Sequence, residues 1–298
     1  MTLTPHNRLF CFGLGYSALA LIELLRGDSW SFAGSCREPN KAAAYRDAGI
    51  DAHVFDGERA MTEIGQALAG VTHLLISVPP DAAGDPVLRC HGRDITALIT
   101  ATPRLAWVGY LSTTGVYGDH GGGWVDEATA RLPSGERGRR RVAAEDDWLR
   151  QWHDHGVPAH LFRLAGIYGP GRSALDTVRA GKAQRIHKPG QVFSRIHVAD
   201  IAAVLRASMA KANPGAAYNV CDDNPAPPED VIGYACELLG VPPPPLVPFA
   251  SADLSPMARS FYDDNKRVSN ARIKSDLHVH LRYPDYRAGL TALLTSKA

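Results

Sequence analysis

Phe10-Cys11-Phe12-Gly13-Leu14-Gly15-Tyr16-Ser17-Ala18-Leu19-Ala20-Leu21 joins a short apolar run to a stretch with apolar residues at helical spacing. Gly13 permits a tight turn from strand into helix, Gly15 lets the backbone approach a pyrophosphate, and Ala18 is the third small residue, where helix and strand pack closely. The helix opened by Tyr16 and Ser17 would add N–H donors and the positive end of its dipole. This spacing predicts a dinucleotide site with Gly13, Gly15, Tyr16 and Ser17 among its contacts. Two glycines near a turn also occur where nothing binds, so the surrounding rhythm decides.

That rhythm alternates. Strand candidates at Leu9–Phe12, Trp30–Cys36, Ala52–Phe55, His73–Val78, Leu105–Leu111 and Ala159–Leu164 are separated by helical patterns at Leu19–Leu25, Ala42–Ala48, Ile64–Leu68, Ile95–Ile99 and Val142–Leu149. Strand, helix, strand at this pace predicts parallel pairing with right-handed crossovers, and so an α/β fold with a doubly wound parallel sheet. After Ile167 the pattern breaks up. Helical patterns at Val198–Met209 and Pro228–Leu239 flank a strand candidate, Ala217–Val220, and Val241–Leu246 with its four prolines must be extended. The tail from Asn265 to Thr295 reads as helical around Pro284. The expected division is a dinucleotide-binding domain over 1–169 and mainly a smaller lobe over 170–298, with elements near 195–222 returning to the first sheet.

The 298 residues carry 32 Lys+Arg against 31 Asp+Glu, with 45% hydrophobic and 21% charged residues. Disordered, collagen-like and strongly basic nucleic-acid-coating chains are excluded. Of the cations 25 are Arg and 7 are Lys, and four of the Arg crowd into Arg137-Gly138-Arg139-Arg140-Arg141. Arginine forks onto phosphates and carboxylates better than lysine does. With net charge +1 and no recognition motif, the cluster does not argue for a nucleic-acid partner. Five dispersed cysteines without a Cys-x-x-Cys indicate neither a disulfide framework nor a zinc knuckle. His153-Asp154-His155 and His278-Val279-His280 have metal-like spacing without a third ligand nearby, so no metal is expected. No uncharged run is long enough to span a bilayer, and the expectation is a cytoplasmic protein without membrane contact.

The end of the second strand reports on the dinucleotide. In Gly34-Ser35-Cys36-Arg37-Glu38-Pro39-Asn40-Lys41 no acid closes the strand and Arg37 follows directly. An acid there would bind a ribose 2′-OH and an arginine would accommodate a 2′-phosphate, so NADP is the first choice and NAD the second. Glu38 serving the ribose remains the alternative. Asp56, after the third strand, is a candidate for the adenine amino group or simply caps its loop.

Leu111-Ser112-Thr113-Thr114-Gly115-Val116-Tyr117-Gly118-Asp119, Phe162-Arg163-Leu164-Ala165-Gly166-Ile167-Tyr168-Gly169-Pro170-Gly171-Arg172, Arg195-Ile196-His197-Val198-Ala199-Asp200 and Tyr218-Asn219-Val220 together resemble the extended short-chain dehydrogenase/reductases, the epimerase/dehydratase superfamily. The match runs nearly the whole length. It implies a Rossmann domain with a small C-terminal substrate lobe, a nicotinamide cofactor and a small-molecule substrate, in a monomer or homodimer. The departure lies on the catalytic helix. The family carries Tyr-x-x-x-Lys ahead of an Ala-Ala-Glu-like run; with Glu145 fixing the register, Arg137 stands for the Tyr and Arg141 for the Lys. The chain is thus similar to the atypical branch that lacks this pair. Ser77-Val78-Pro79-Pro80, after the fourth strand, resembles a segment of one bacterial atypical group, which implies that Ser77, Val78 and Pro79 border the pyrophosphate and nicotinamide.

Arginine cannot be deprotonated in a protein, so Arg137 can stabilise negative charge and cannot act as a base. Arg141 can still hydrogen-bond a nicotinamide ribose. Thr113 matches the Ser/Thr that orients the reacting oxygen in relatives, and Tyr117 is the substitute proton donor. Thr113, Tyr117, Arg137 and Arg141 are the catalytic candidates. The glycine-rich loop 118–127, with His120, Asp126 and Glu127, is a further source of acid–base groups or a lid. The expected function is an oxidoreductase or epimerase-like protein on an anionic, nucleotide-sugar-like substrate. The alternative is a redox-inactive NADP(H)-binding sensor or scaffold.

Overall fold

The computed structural model describes residues 7–101 and 104–295. Along the chain run β1 (Asn7–Phe12), α1 (Tyr16–Leu25), β2 (Trp30–Cys36), α2 (Pro39–Asp47), β3 (Asp51–Val54), α3 (Ile64–Ala67), β4 (His73–Ile76), α4 (Pro86–Ala97), β5 (Trp107–Thr113) and β6 (Trp124–Val125). There follow α5 (Glu136–His155), β7 (Ala159–Leu164), β8 (Gly166–Tyr168), α6 (Ala174–Arg179), β9 (Arg185–His187), β10 (Arg195–His197), α7 (Val198–Ala210) and β11 (Ala217–Val220). The last elements are α8 (Pro228–Leu239), β12 (Leu246–Pro248), α9 (Pro256–Ser260), β13 (Arg267–Val268), α10 (Ala271–Ser275) and α11 (Tyr286–Thr295).

Seven strands form one sheet in the order β11-β7-β5-β4-β1-β2-β3. β1 runs parallel to both β2 and β4, and the ladder continues in parallel to β3 and β5. β4 and β7 are buried at every position, because a parallel sheet covered on both faces excludes water from both sets of side chains. One core cluster gathers Phe10, Phe12, Leu74, Ile76, Val108, Tyr110, Leu161 and, from α5, Trp148. Strand order reverses between β1 and β4. In doubly wound sheets that switch point opens a crevice beyond the carboxyl ends of the strands, which is where ligands bind.

The chain divides into two compact units. The first holds the residues up to Ser112, Arg140–Phe162 and Ala202–Tyr218; the second holds Thr113–Arg139, Arg163–Ile201 and the chain from Asn219 on. In the second unit β10 pairs in parallel with β8, β12 with β9, and β13 with β6. Its helices α6, α8 and α11 share a core of Leu175, Val231, Ala235, Tyr286 and Leu290. The tail departs from the helical expectation over 265–295. It contains β13, α10 and α11, and between the two helices the Asp200 carboxylate accepts the backbone N–H groups of Arg282 (2.7 Å) and Tyr283 (3.0 Å), which fixes a loop ahead of Pro284. Among the described residues no helix is long and apolar enough to cross a membrane.

Candidate functional site

The glycine turn sits at the carboxyl end of β1, in the first unit. Gly13 has φ +92, in the left-handed region, and a Cβ there would stand 3.3 Å from Val78 Cγ2 and 3.4 Å from the Ser77 carbonyl carbon. Glycine is therefore required twice over at this position, by backbone and by space. Gly15 differs: no heavy atom lies within 4 Å of where its Cβ would be. It is exposed and precedes α1, whose first turn has no side-chain cap. The backbone at Gly15 thus stands open beside the N-terminus of a ten-residue helix, the arrangement that a dinucleotide pyrophosphate requires.

Three residues outside the motif brace the turn. Ser35 accepts the Gly13 N–H on its side chain (3.2 Å) and the Leu14 N–H on its carbonyl (2.7 Å), and the Tyr45 hydroxyl from α2 donates to the Leu14 carbonyl (3.0 Å). Gly34 is packed so closely that a Cβ would approach Cys11 O to 2.6 Å. The Ser77 N–H donates to Phe12 O at 2.9 Å, which brings Ser77 and Val78 against the turn, with Pro79 exposed beyond them.

Arg37 follows β2, is exposed, and makes no hydrogen bond or ion pair among the described residues. Its neighbour Glu38 is paired with Lys41 at 2.7 Å, and this hydrogen bond holds the Glu38 carboxyl below its ordinary value. Asp56 accepts the backbone N–H groups of Glu58 (2.8 Å) and Arg59 (3.4 Å) on Oδ1, so it caps its own loop, and those bonds lower its carboxyl from the usual range. It also lines a cavity of about 420 Å³ with His53, Phe55, Arg59 and Met61. Both readings of Asp56 are compatible with that geometry, one carboxylate oxygen serving each.

At the carboxyl end of β5 the first unit presents a buried polar group. The Ser112 hydroxyl donates to Glu145 Oε1 at 2.5 Å, both residues being buried. Arg141, half-buried on α5, donates from Nη1 to the Leu111 carbonyl and sets its guanidinium carbon 5.7 Å from the centre of the Tyr110 ring. Asp85 caps α4 by accepting from the backbone N–H groups of Val87 (2.8 Å) and Leu88 (3.1 Å), and its other oxygen accepts from Trp148 Nε1 (3.1 Å). Burial pushes its carboxyl up. Asp85, Trp148 and Glu145 were not candidates from sequence. The Asp85-Pro86 pair, an N-cap followed by proline at the first helical position, carries the signal that finds this helix start.

The second unit holds the other catalytic candidates. Thr113 is half-buried, and its Oγ1 accepts the Gly115 N–H at 3.1 Å, which leaves its O–H free to donate. Tyr117 is fully buried. Its hydroxyl donates to Asn219 Oδ1 (2.7 Å) and accepts from Arg163 Nη1 (2.8 Å), and burial pushes it up to about 12. Enclosed in this way, the hydroxyl ties Asn219 to Arg163. Arg137 is exposed on the first turn of α5 and has no ion pair among the described residues. Beside it Gly138 brings the helix onto the chain before it: a Cβ would lie 2.5 Å from Pro133 Cβ and 2.8 Å from Gly115 O. In the loop 118–127, Asp126 accepts the N–H groups of Ala128 and Thr129, Glu127 accepts the Asn219 N–H at 2.7 Å, and a His120 ring nitrogen lies 3.2 Å from Tyr117 O. These groups tie the loop to its own unit. Among the described residues no group of three or more His, Cys, Asp or Glu gathers that could hold a metal ion.

The fold is shared with solved structures. A functionally unknown conserved protein from Silicibacter pomeroyi DSS is 53% identical, with 97% of this chain and 98% of that one covered and a TM-score of 0.87. A dTDP-glucose 4,6-dehydratase from Bacillus anthracis in complex with NAD is 16% identical, with 97% and 95% covered and a TM-score of 0.76. A UDP-glucuronic acid 4-epimerase from Bacillus cereus in complex with NAD is 16% identical, with 96% and 95% covered and a TM-score of 0.73. The likeness to these two enzymes is one of fold. No family model and no curated protein matches the chain significantly.

Proposed function

The chain belongs to one family with the Silicibacter pomeroyi protein, and we propose that it is an NAD(P)-binding oxidoreductase or epimerase-like protein acting on an anionic, nucleotide-sugar-like substrate. The observation that carries this reading is the Gly13–Gly15 turn, braced by Ser35 and Tyr45 and open over Gly15. The NAD held by the dehydratase and the epimerase of the same fold supports a nicotinamide dinucleotide. The preference for NADP rests on Arg37, which is unpaired, while the carboxylate that would bind a 2′-hydroxyl, Glu38, is occupied by Lys41.

When bound, the nicotinamide gives or takes a hydride. Arg141, steadied by Leu111 O and the Tyr110 ring, would hold the nicotinamide ribose with its remaining N–H groups. Thr113 donates its O–H to the substrate oxygen, and Arg137 meets negative charge on the substrate. Neither arginine exchanges a proton near neutral pH. One observation favours the second reading, a redox-inactive NADP(H)-binding sensor or scaffold: the Tyr117 hydroxyl is buried in its bonds to Asn219 and Arg163.

Two measurements test the proposal. Calorimetric titration of the wild type is expected to show NADPH bound about tenfold more tightly than NADH, with that margin lost in Arg37→Ala; one tenfold step is 1.4 kcal/mol, within the range of a charge-assisted contact. Equal binding of the two cofactors would return Arg37 to the surface, and binding of neither would overturn the cofactor reading. Oxidation of the bound cofactor across sugar nucleotides and ketones then separates the two readings. If the wild type turns over none of them and Arg137→Tyr with Arg141→Lys gains reductase activity, the fold is competent and the native chain works by binding alone.

A further inference from the structure

The second unit contains a cavity of about 590 Å³ between α6, α8 and α11, and no role proposed above uses it. Its apolar walls include Tyr168, Val231, Tyr286 and Leu290, and three cations reach it, Arg172, Lys182 and Arg195. The one carboxylate on the lining, Asp176, is turned to its own helix end. It accepts from the Ser173 N–H (2.9 Å) and hydroxyl (2.6 Å) in a capping box that starts α6. Lys182 and Arg195 therefore bring positive charge beside an apolar surface.

Arg195 makes this more than a basic rim. It is half-buried, and its Nη1 donates to the carbonyls of Phe193 (2.8 Å) and Ala226 (3.0 Å), which are neutral acceptors. Among the described residues no carboxylate lies within ion-pair distance of it. The carboxyl whose field reaches it, Asp222, is itself buried, and burial pushes it up. A half-buried guanidinium that bonds only to neutral carbonyls can take an anion from outside as its partner.

We propose that this cavity is a binding site for a small organic anion, a phosphate ester or carboxylate carried on a flat apolar body. The anion meets Arg195 with Lys182 at the mouth, and the ring lies against Tyr168, Val231 and Tyr286. The inference does not depend on the dinucleotide reading, since every residue it uses is in the second unit.

The test is a titration of the cofactor-free full chain with four probes: 4-nitrophenyl phosphate, 4-nitrobenzoate, 4-nitrophenol and inorganic phosphate. At least one of the two ring-bearing anions is expected to bind saturably, about tenfold or more tighter than 4-nitrophenol and inorganic phosphate, because only such a probe uses both the cations and the walls. Which of the two binds tighter identifies the anionic group. Lys182→Ala, at an exposed position, is expected to weaken binding about fivefold, and Ile232→Trp, which fills the cavity from α8, to abolish it while the melting temperature stays near that of the wild type. Absence of saturable binding by either ring-bearing anion overturns the proposal, as does binding that both variants leave unchanged. Inorganic phosphate binding as tightly as the ring-bearing anions also overturns it.

Discussion

At Gly138 a single hydrogen atom decides how α5 begins. A methyl group would meet Pro133 and the Gly115 carbonyl far inside contact distance. Alanine gains about 1 kcal/mol of helix propensity over glycine, but forcing a methyl into a filled space costs ~1–3 kcal/mol, so Gly138→Ala is expected to lose stability in urea. A gain would mean that the turn yields. Tyr117→Phe is a sharper case, because it strips a buried hydroxyl from between Arg163 and Asn219 and leaves both short of a partner, at about 1–3 kcal/mol. A proton donor would instead lose turnover at unchanged stability. The sequence motif singled out Tyr117, but its burial and partners come from Arg163 and Asn219, 46 and 102 residues away in the chain. Arg37, by contrast, was legible, because its exposure after β2 follows from local order alone.

Among the elements, α4 shows what periodicity misses. Apolar spacing marked only Ile95–Ile99, whereas the helix starts at Pro86, where Asp85 caps it and holds Trp148 of α5. Asp85→Ala removes the cap and orphans the indole N–H, and a loss of about 2–3 kcal/mol in chemical unfolding is expected; Asp85→Asn, which keeps an acceptor, should lose less. Equal losses would mean that the carboxylate charge, and not the acceptor, matters. The sheet strands were readable because each is a short β-rich run: β2 and β7 match their expected bounds, and β5 runs two residues past its expected end to Thr113. The two- and three-residue strands β6, β8, β9, β10, β12 and β13 were not readable, since pairs of that length are set by tertiary partners and have no periodicity of their own.

On the scale of the whole molecule, the glycine turn and the parallel rhythm sufficed for the fold, and the charged interior did not follow from either. Asp222 is an example. Burial raises its carboxyl to about 8 in the folded chain against about 4 unfolded, so its contribution to stability is full below pH ~4 and is lost as pH rises toward ~8. Asp222→Asn is expected to gain on the wild type in thermal melts at pH 8 more than at pH 5, and an equal difference at both pH values would contradict this. The central claim, that the chain holds a nicotinamide dinucleotide on the turn after β1, has its most direct test at Gly15. Space around Gly15 is open and its φ of −107 suits any residue, so Gly15→Val should fold and melt like the wild type. The measurement is NADPH affinity by calorimetry in the two proteins: an intact fold with affinity down about a hundredfold, 2.8 kcal/mol at 1.4 kcal/mol per tenfold, is the predicted result, and an intact fold that binds NADPH as tightly as the wild type would contradict it.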